Sequence, residues 1–363
     1  MRCFSVLRKD RGFMEDKLKQ CTIVLTRACN LRCDFCYVKD AGYDPQDMLS
    51  YEDLLKIVDF CGEAGMKYIF FSGGEPLTYP HILDVLQYIK NTKPTIMSAI
   101  ATNGVLLENS DFCKKLVDSG VGYVDVSMKG TNPEGWKNTT GYDGYSKQLC
   151  GIRNLAATSL EFTCSMVVTK DNVSTFCDAV QAAIDNGAKQ FSFTFVIDNS
   201  DSKAKDEEYL EENDPIALID CFLSQTERLN SITDDWWIEY SFPLCMYTKD
   251  QLEALTGRLA SPCQIHKQNA VTFNTKMQLL PCDMYITHPL GKLGADFTSF
   301  EEFKKLAEQS AYRKVMDSIR QMPSTKCSLC EHHDSCYGGC PVLWKNYSFE
   351  ALTEFKRKRS TAK

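Results

Sequence analysis

The sequence offers no run approaching 18 uncharged apolar residues, so it carries no candidate transmembrane helix. It also lacks an excess of positive charge. Its 41 Lys and Arg stand against 48 Asp and Glu, a net charge of −7 that argues against a nucleic-acid footprint. There is no internal repeat and no low-complexity segment. Residues Met1-Arg2-Cys3-Phe4-Ser5 lead into Arg8, Lys9, Asp10 and Arg11 without the apolar stretch of a secretory signal, so a cytoplasmic protein is expected, with neither membrane nor nucleic acid as partner. The short basic stretch Lys356-Arg357-Lys358-Arg359 reads as a solvated, frayed end.

What the chain has in abundance is cysteine: 18 in 363 residues. Without a secretory signal, metal binding explains them better than disulfides, and a reducing, low-oxygen compartment is expected. The length allows two or three domains, and 44% apolar with 25% charged residues is an ordinary globular composition.

Strand-like and helix-like segments alternate through the first 200 residues. Strands are expected over Cys21 to Thr26, Lys67 to Phe71, Thr95 to Thr102, Gly122 to Ser127, Phe162 to Thr169 and Gln190 to Val196. Helices are expected over Tyr51 to Ala64, Pro80 to Asn91, Asp111 to Ser119, Tyr145 to Ala157 and Ser174 to Asn186. Such alternation predicts an α/β fold with a parallel sheet. The acidic stretch Asp198 to Asp214 reads as a solvated linker into a helix over Pro215 to Leu229. From about Trp236 the texture becomes irregular and rich in cysteine, proline and glycine, the composition of a segment that metal holds together. The expected organisation is therefore an extension over 1–20, a first domain over 21–235, a cysteine-rich domain over 236–350 and a basic tail over 351–363.

Within Cys29-Asn30-Leu31-Arg32-Cys33-Asp34-Phe35-Cys36, the C-x3-C-x2-C spacing supplies three thiolates to a cubane iron–sulfur cluster and leaves its fourth iron open. An electron carrier uses four cysteines, whereas an open iron can bind a substrate or cofactor. Further on, Gly73-Gly74-Glu75-Pro76 follows the apolar run Tyr68-Ile69-Phe70-Phe71. The pair of motifs resembles the radical S-adenosylmethionine (SAM) enzymes. That resemblance implies a partial, TIM-like (β/α)6 barrel with its cofactors at the carboxyl ends of the strands. It implies a [4Fe-4S] cluster on Cys29, Cys33 and Cys36, whose open iron is chelated by the amino and carboxylate groups of SAM, with Gly73, Gly74, Glu75 and Pro76 receiving the amino group. Reductive cleavage of SAM then gives methionine and a 5′-deoxyadenosyl radical that takes hydrogen from an unactivated C–H bond. By position, Tyr37 matches an aromatic beside the adenine, Asn103 a residue ending the third strand, and Ser127 a serine contacting the SAM carboxylate. Lys129 and Thr140 stand where the family more often has aspartate and arginine.

A second set, Cys327-x2-Cys330-x5-Cys336-x3-Cys340, stands downstream of Cys245, Cys263 and Cys282. Four such cysteines alone fit a structural zinc site, although zinc ribbons pair two short C-x2-C knuckles and this run does not. The run resembles the SPASM extension of radical SAM enzymes, which carries two auxiliary [4Fe-4S] clusters. The resemblance implies Cys245, Cys263, Cys282 and Cys340 for the nearer cluster and Cys327, Cys330 and Cys336 for the distal one. Two departures stand out. Met277 occupies the place of a glycine, and no cysteine follows Cys340, which leaves the distal cluster with an open iron, a non-cysteine ligand, or no cluster. Of the eight remaining cysteines, Cys61, Cys113 and Cys177 fall at apolar helix positions, where core packing is the simplest role, and Cys21 and Cys164 fall in strands; a catalytic hydrogen donor among the eight is the alternative.

The resemblance implies modification of a ribosomally made precursor peptide by a crosslink, carbon–carbon or thioether, or by epimerisation. Only about 20 residues precede the first strand, too few for a leader-binding domain, so leader recognition is expected to fall to a separate leader-binding protein or to another surface, with a flavodoxin- or ferredoxin-type electron donor as a further partner. Formylglycine formation, as in anaerobic sulfatase maturation, and a small-molecule dehydrogenase or epimerase are the enzymatic alternatives. An iron–sulfur electron carrier is the alternative from another class, and it has no use for Gly73-Gly74-Glu75-Pro76.

Overall fold

The computed structural model describes residues 18–198, 207–239, 242–260 and 263–362. Cys3, and the acidic stretch from 199 to 206, lie outside them. The chain is mixed α/β, built on a mainly parallel sheet. Strands β1 (Gln20–Val24), β2 (Tyr68–Ser72), β3 (Met97–Thr102), β4 (Tyr123–Met128), β5 (Phe162–Val168) and β6 (Phe191–Phe195) pair in sequence order, all parallel. Every expected strand is present within a few residues. A seventh short strand, β7 (Trp236–Ile238), continues the parallel order beside β6, where sequence texture had already turned irregular.

Alternation sets the two faces of this sheet. Ile69 and Phe71 of β2, Val124 and Val126 of β4, and Phe191, Phe193 and Phe195 of β6 are buried in one continuous core with the helices. Asp125 and Ser127 of β4, Ser165 of β5, Thr194 of β6 and Glu239 just after β7 take intervening positions, so the other face is largely polar over that half of the sheet. The helices show the matching period. Tyr51–Glu63 buries Leu54, Ile57, Val58 and Cys61 at 3–4 residue spacing, with Ser50 capping its start. Cys21, Cys61, Cys113, Cys164 and Cys177 are all core residues. The helix expected over Pro215 to Leu229 is two, Pro215–Leu223 and Thr226–Ile232.

The sheet does not stop with the barrel. Strand β8 (Ala270–Phe273), from the cysteine-rich part, pairs parallel with β1 on the edge opposite β2. Antiparallel β9 (Gln278–Leu280) and β10 (Gly291–Lys292) extend it, giving the order β10-β9-β8-β1-β2-β3-β4-β5-β6-β7. Met277 turns the β8–β9 connection in the left-handed region, at φ 58°. That conformation is what a glycine supplies without strain. Met277 holds it while its side chain is buried.

The basic tail is not frayed: Phe349–Ala362 is a helix. Its Lys356 donates to the Cys245 carbonyl and Arg359 pairs with Asp214, the residue that caps the helix from Pro215. The expectation of a solvated end failed because the partners lie more than a hundred residues away.

Phe60 joins the two parts. Its ring lies 5.7 Å from Phe273 of β8, 5.5 Å from Phe297 and 5.8 Å from Phe303. Phe60→Ala should destabilise the protein by about 3–5 kcal/mol, measured by denaturant unfolding. With β8 on β1, unfolding should remain one transition; two separate transitions in the wild type would overturn this coupling.

Candidate active site

The loop after β1 carries Cys29, Cys33 and Cys36, and three neighbouring segments hold it by hydrogen bonds. The first is the turn after β2. Gly74 N–H donates to the Thr26 carbonyl (2.7 Å) and Glu75 N–H to the Ala28 carbonyl (2.8 Å). This approach requires glycine: a Cβ at Gly74 would stand 2.2 Å from the Ala28 oxygen, and one at Gly73, whose φ is +145°, 2.5 Å from the Thr26 oxygen. The second is the end of β3, where Asn103 Nδ2 donates to Asn30 Oδ1 (2.8 Å). The third is the carboxyl end of helix Pro133–Thr140, whose Thr139 and Thr140 carbonyls accept from Asp34 and Arg32. Leu31 and Cys33 are buried with Val105 and Trp136 beneath the loop. Thr140 thus contributes its carbonyl, while its hydroxyl donates back into its own helix.

Glu75 is buried and accepts three hydrogen bonds, from Leu77 N–H (3.1 Å), the Thr102 hydroxyl (2.7 Å) and Asn103 N–H (2.8 Å). Burial raises its carboxyl above the ordinary value, against those donors and Lys129. Pro76 opens a short turn of 3-10 geometry. The Ser127 hydroxyl accepts from Lys129 Nζ (2.6 Å), and Gln148 Nε2 donates to the carbonyls of both Asn103 and Ser127, tying the ends of β3 and β4 together.

Burial pushes the Cys29 thiol up to about 11, Leu31 N–H opposing, with Glu75, Cys33 and Cys36 adding to the rise. Burial also raises Cys33, against the Lys129 ammonium. These three thiols therefore share one neighbourhood. Among the described residues, no three Cys, His, Asp or Glu side chains converge as a single ion requires. A cubane asks instead for one soft thiolate per iron, spread around a polynuclear core, and the loop's donor set fits that group.

Neighbours in sequence part company here. Tyr37 is turned into the fold, its buried hydroxyl beside Ser72 and Asp283. Phe35, which the sequence reading passed over, lines a cavity of about 320 Å³ together with Asp34. The same cavity is lined by Thr169 and Asp171 after β5, Ile197 after β6, and Phe242 and Tyr347 from the cysteine-rich part. Lys129 Nζ lies 5.5 Å from the Phe35 ring. Deeper on the polar face, burial brings Asp125 up to about 6, while Glu239, which accepts from Trp237 Nε1 (2.6 Å), rises to about 7 by burial and by the Asp125 charge.

The C-terminal cysteines form two groups. Cys263, Cys282 and Cys340 surround Ile265, Tyr285 and Val342. Burial raises all three, Cys340 up to about 12, with Cys263 adding to the rise of both others. Cys327, Cys330 and Cys336 form the second group. Cys245, assigned to the first group by resemblance, lies beside the second: Leu244 N–H donates to Cys336 Sγ (3.2 Å). Every described cysteine is a free thiol.

Residues 23–187 match the Radical SAM superfamily. Among sequence relatives of the chain, the AdoMet-dependent heme synthase of Methanosarcina barkeri is 29% identical over 184 residues, covering 50% of this chain and 52% of that protein. The GTP 3′,8-cyclase of Clostridium perfringens is 28% identical over 167 residues, 45% of this chain and 51% of that one. The chain thus spans about half the length of these curated relatives. Solved structures match over nearly all of it. Streptococcus suis SuiB bound to precursor peptide SuiA superposes with TM-score 0.67 at 16% identity, covering 93% of this chain and 76% of that one. Native anSMEcpe with bound AdoMet superposes with TM-score 0.66 at 18% identity, covering 94% and 98%. The shared feature is the fold, and it continues through the C-terminal part of this chain. No helix among the described residues is long and apolar enough to cross a membrane.

Two predictions follow from this geometry. Glu75→Ala leaves three buried donors without an acceptor, at about 1–3 kcal/mol each, so it should lower stability by several kcal/mol in denaturant unfolding. Glu75→Gln should not restore it, because its amide NH2 meets a donor. Asp125 and Glu239 bind their protons more tightly folded than unfolded, so their burial lowers stability as pH rises from the ordinary carboxylate range through about 6 and 7. Asp125→Asn/Glu239→Gln should raise the Tm at pH 8 by a few degrees, and the gain should vanish below pH 4. A gain unchanged across that range would refute the assignment.

Proposed function

We propose that this chain is a radical SAM enzyme that abstracts hydrogen from a residue of a peptide or protein to install a crosslink or epimerised centre. In this reading Cys29, Cys33 and Cys36 hold the [4Fe-4S] cluster, with SAM over the Gly73–Glu75 turn near Asn103 and Ser127. Phe35, on the cavity side, replaces Tyr37 as the aromatic facing the cofactor. The cluster and SAM, once bound, supply the 5′-deoxyadenosyl radical. The chain's own part is to seat the loop, exclude water with Leu31, Val105 and Trp136, and present a substrate residue to the cavity.

The observation that carries the peptide reading is the cavity's chemistry. At about 320 Å³ it lies at the small end for a ligand site. Its walls are aromatic and aliphatic, and its charges are mainly carboxylates, Asp34, Asp171 and Asp198, with Lys170 as counterweight. Such a site admits one amino-acid side chain and repels a nucleoside triphosphate, which separates it from the cyclases among the sequence relatives. The peptide-bound forms of SuiB and anSMEcpe support the same reading. Formylglycine formation remains the second reading, since the cavity treats a serine or cysteine side chain no differently.

The test uses anaerobically reconstituted protein, SAM, a flavodoxin-type reductant and substrate pools from cells grown on perdeuterated medium. Deuterium should enter 5′-deoxyadenosine from the peptide fraction with wild type and not with Cys33→Ala. Transfer from the small-molecule fraction alone, or from deuterated GTP, would overturn the proposal. Phe242→Trp, which fills the cavity, should leave SAM cleavage intact while suppressing deuterium transfer about tenfold or more.

A further inference from the structure

We propose that Cys245 completes a four-cysteine site with Cys327, Cys330 and Cys336, supplying the thiolate that the sequence lacks beyond Cys340. Cys263, Cys282 and Cys340 then remain as a separate three-thiolate site. The inference rests on the reading of the C-terminal cysteines as iron–sulfur ligands.

The backbone makes this partition. Tyr337, Gly338 and Gly339 take three successive left-handed conformations, with φ of 49°, 79° and 74°. The chain reverses there, between Cys336 and Cys340, and delivers them to different groups. Gly339 has a second task. A Cβ on it would stand 2.7 Å from Pro243 N and 3.0 Å from Pro243 Cδ, so only glycine lets the segment leading to Cys245 lie against the run. Directly after that contact, Leu244 N–H donates to Cys336 Sγ (3.2 Å), which places the residue before Cys245 against the run. From the other side Lys356, on the C-terminal helix, holds the Cys245 carbonyl. The apolar cluster around Tyr285 and Val342 gathers Cys263, Cys282 and Cys340 into the other group.

A cubane takes one thiolate per iron, so four cysteines close a site. The distal set, one cysteine short by sequence pattern, is thus made whole by a residue upstream of the run rather than downstream.

The experiment takes the full chain with Cys29, Cys33 and Cys36 changed to Ala, so that the remaining iron is auxiliary. Iron, sulfide and zinc per chain and the EPR spectrum of the reduced protein are compared for Cys245→Ala, Cys327→Ala and Cys282→Ala added to it. Cys245→Ala should alter the same EPR signal as Cys327→Ala and lose the same complement of iron. The Cys245→Ala/Cys327→Ala pair should lose no more than Cys327→Ala alone. Cys282→Ala should alter the other signal. Cys245→Ser, which keeps the side-chain volume, guards against misfolding: it should shift the Cys327-linked signal and leave the other untouched. Cys245→Ala or Cys245→Ser changing the Cys282-linked signal, or neither signal, would overturn the inference while leaving the cluster reading intact. Zinc in place of iron in both groups would overturn both.

Discussion

Two backbone hydrogen bonds, from Gly74 and Glu75 to the Thr26 and Ala28 carbonyls, are the constraint on which the site depends. They join the loops that follow adjacent parallel strands, and they form only because neither Gly73 nor Gly74 carries a Cβ. Glu75 fixes the same turn from its side-chain end, drawing donors from Leu77 and from the end of β3. The cysteine loop is therefore braced by its own neighbours in the chain. The glycines and the glutamate act as architecture for that loop.

The barrel was legible because its signal is local. Alternation in the strands and 3–4 residue spacing in the helices each express burial on one face, and both read directly from sequence. Motif spacing likewise pointed to the cysteine loop and the glycine turn. What escaped depends on distant partners. The basic tail is charged enough to look solvated, yet Arg359 meets Asp214 and Lys356 meets Cys245. Spacing alone groups the run from Cys327 to Cys340 as one unit; only the family resemblance parted Cys340 from the other three, and three left-handed residues reverse the chain at that point. Phe35 and Tyr37 are two residues apart and face opposite ways, because the loop between β1 and the helix beyond it has no period to read. Met277 shows the converse: the glycine expected there names a backbone conformation, and a buried methionine side chain holds that conformation without it.

The cysteine-rich part is not an appendage to the barrel. It contributes β8 to the sheet, Phe242 and Tyr347 to the cavity wall, and Phe297 and Phe303 to the ring cluster around Phe60. The segment from Phe242 to Cys245 and the one from Cys340 to Leu343 each join a wall residue of the cavity to a C-terminal cysteine.

The pairing of β1 with β8 has a consequence for the newborn chain. Residues 20–23 meet one neighbour at 68–71 but the other only at 270–273. During synthesis the strand that leads into the cysteine loop keeps an open edge until about 250 further residues have been made, and such long-range parallel pairing is slow. An unpaired edge invites foreign strands, and the thiols just beyond it stand open to oxygen and stray metals for the same interval. Correct maturation of this protein is thus a race between the ribosome and the chemistry of its own first loop.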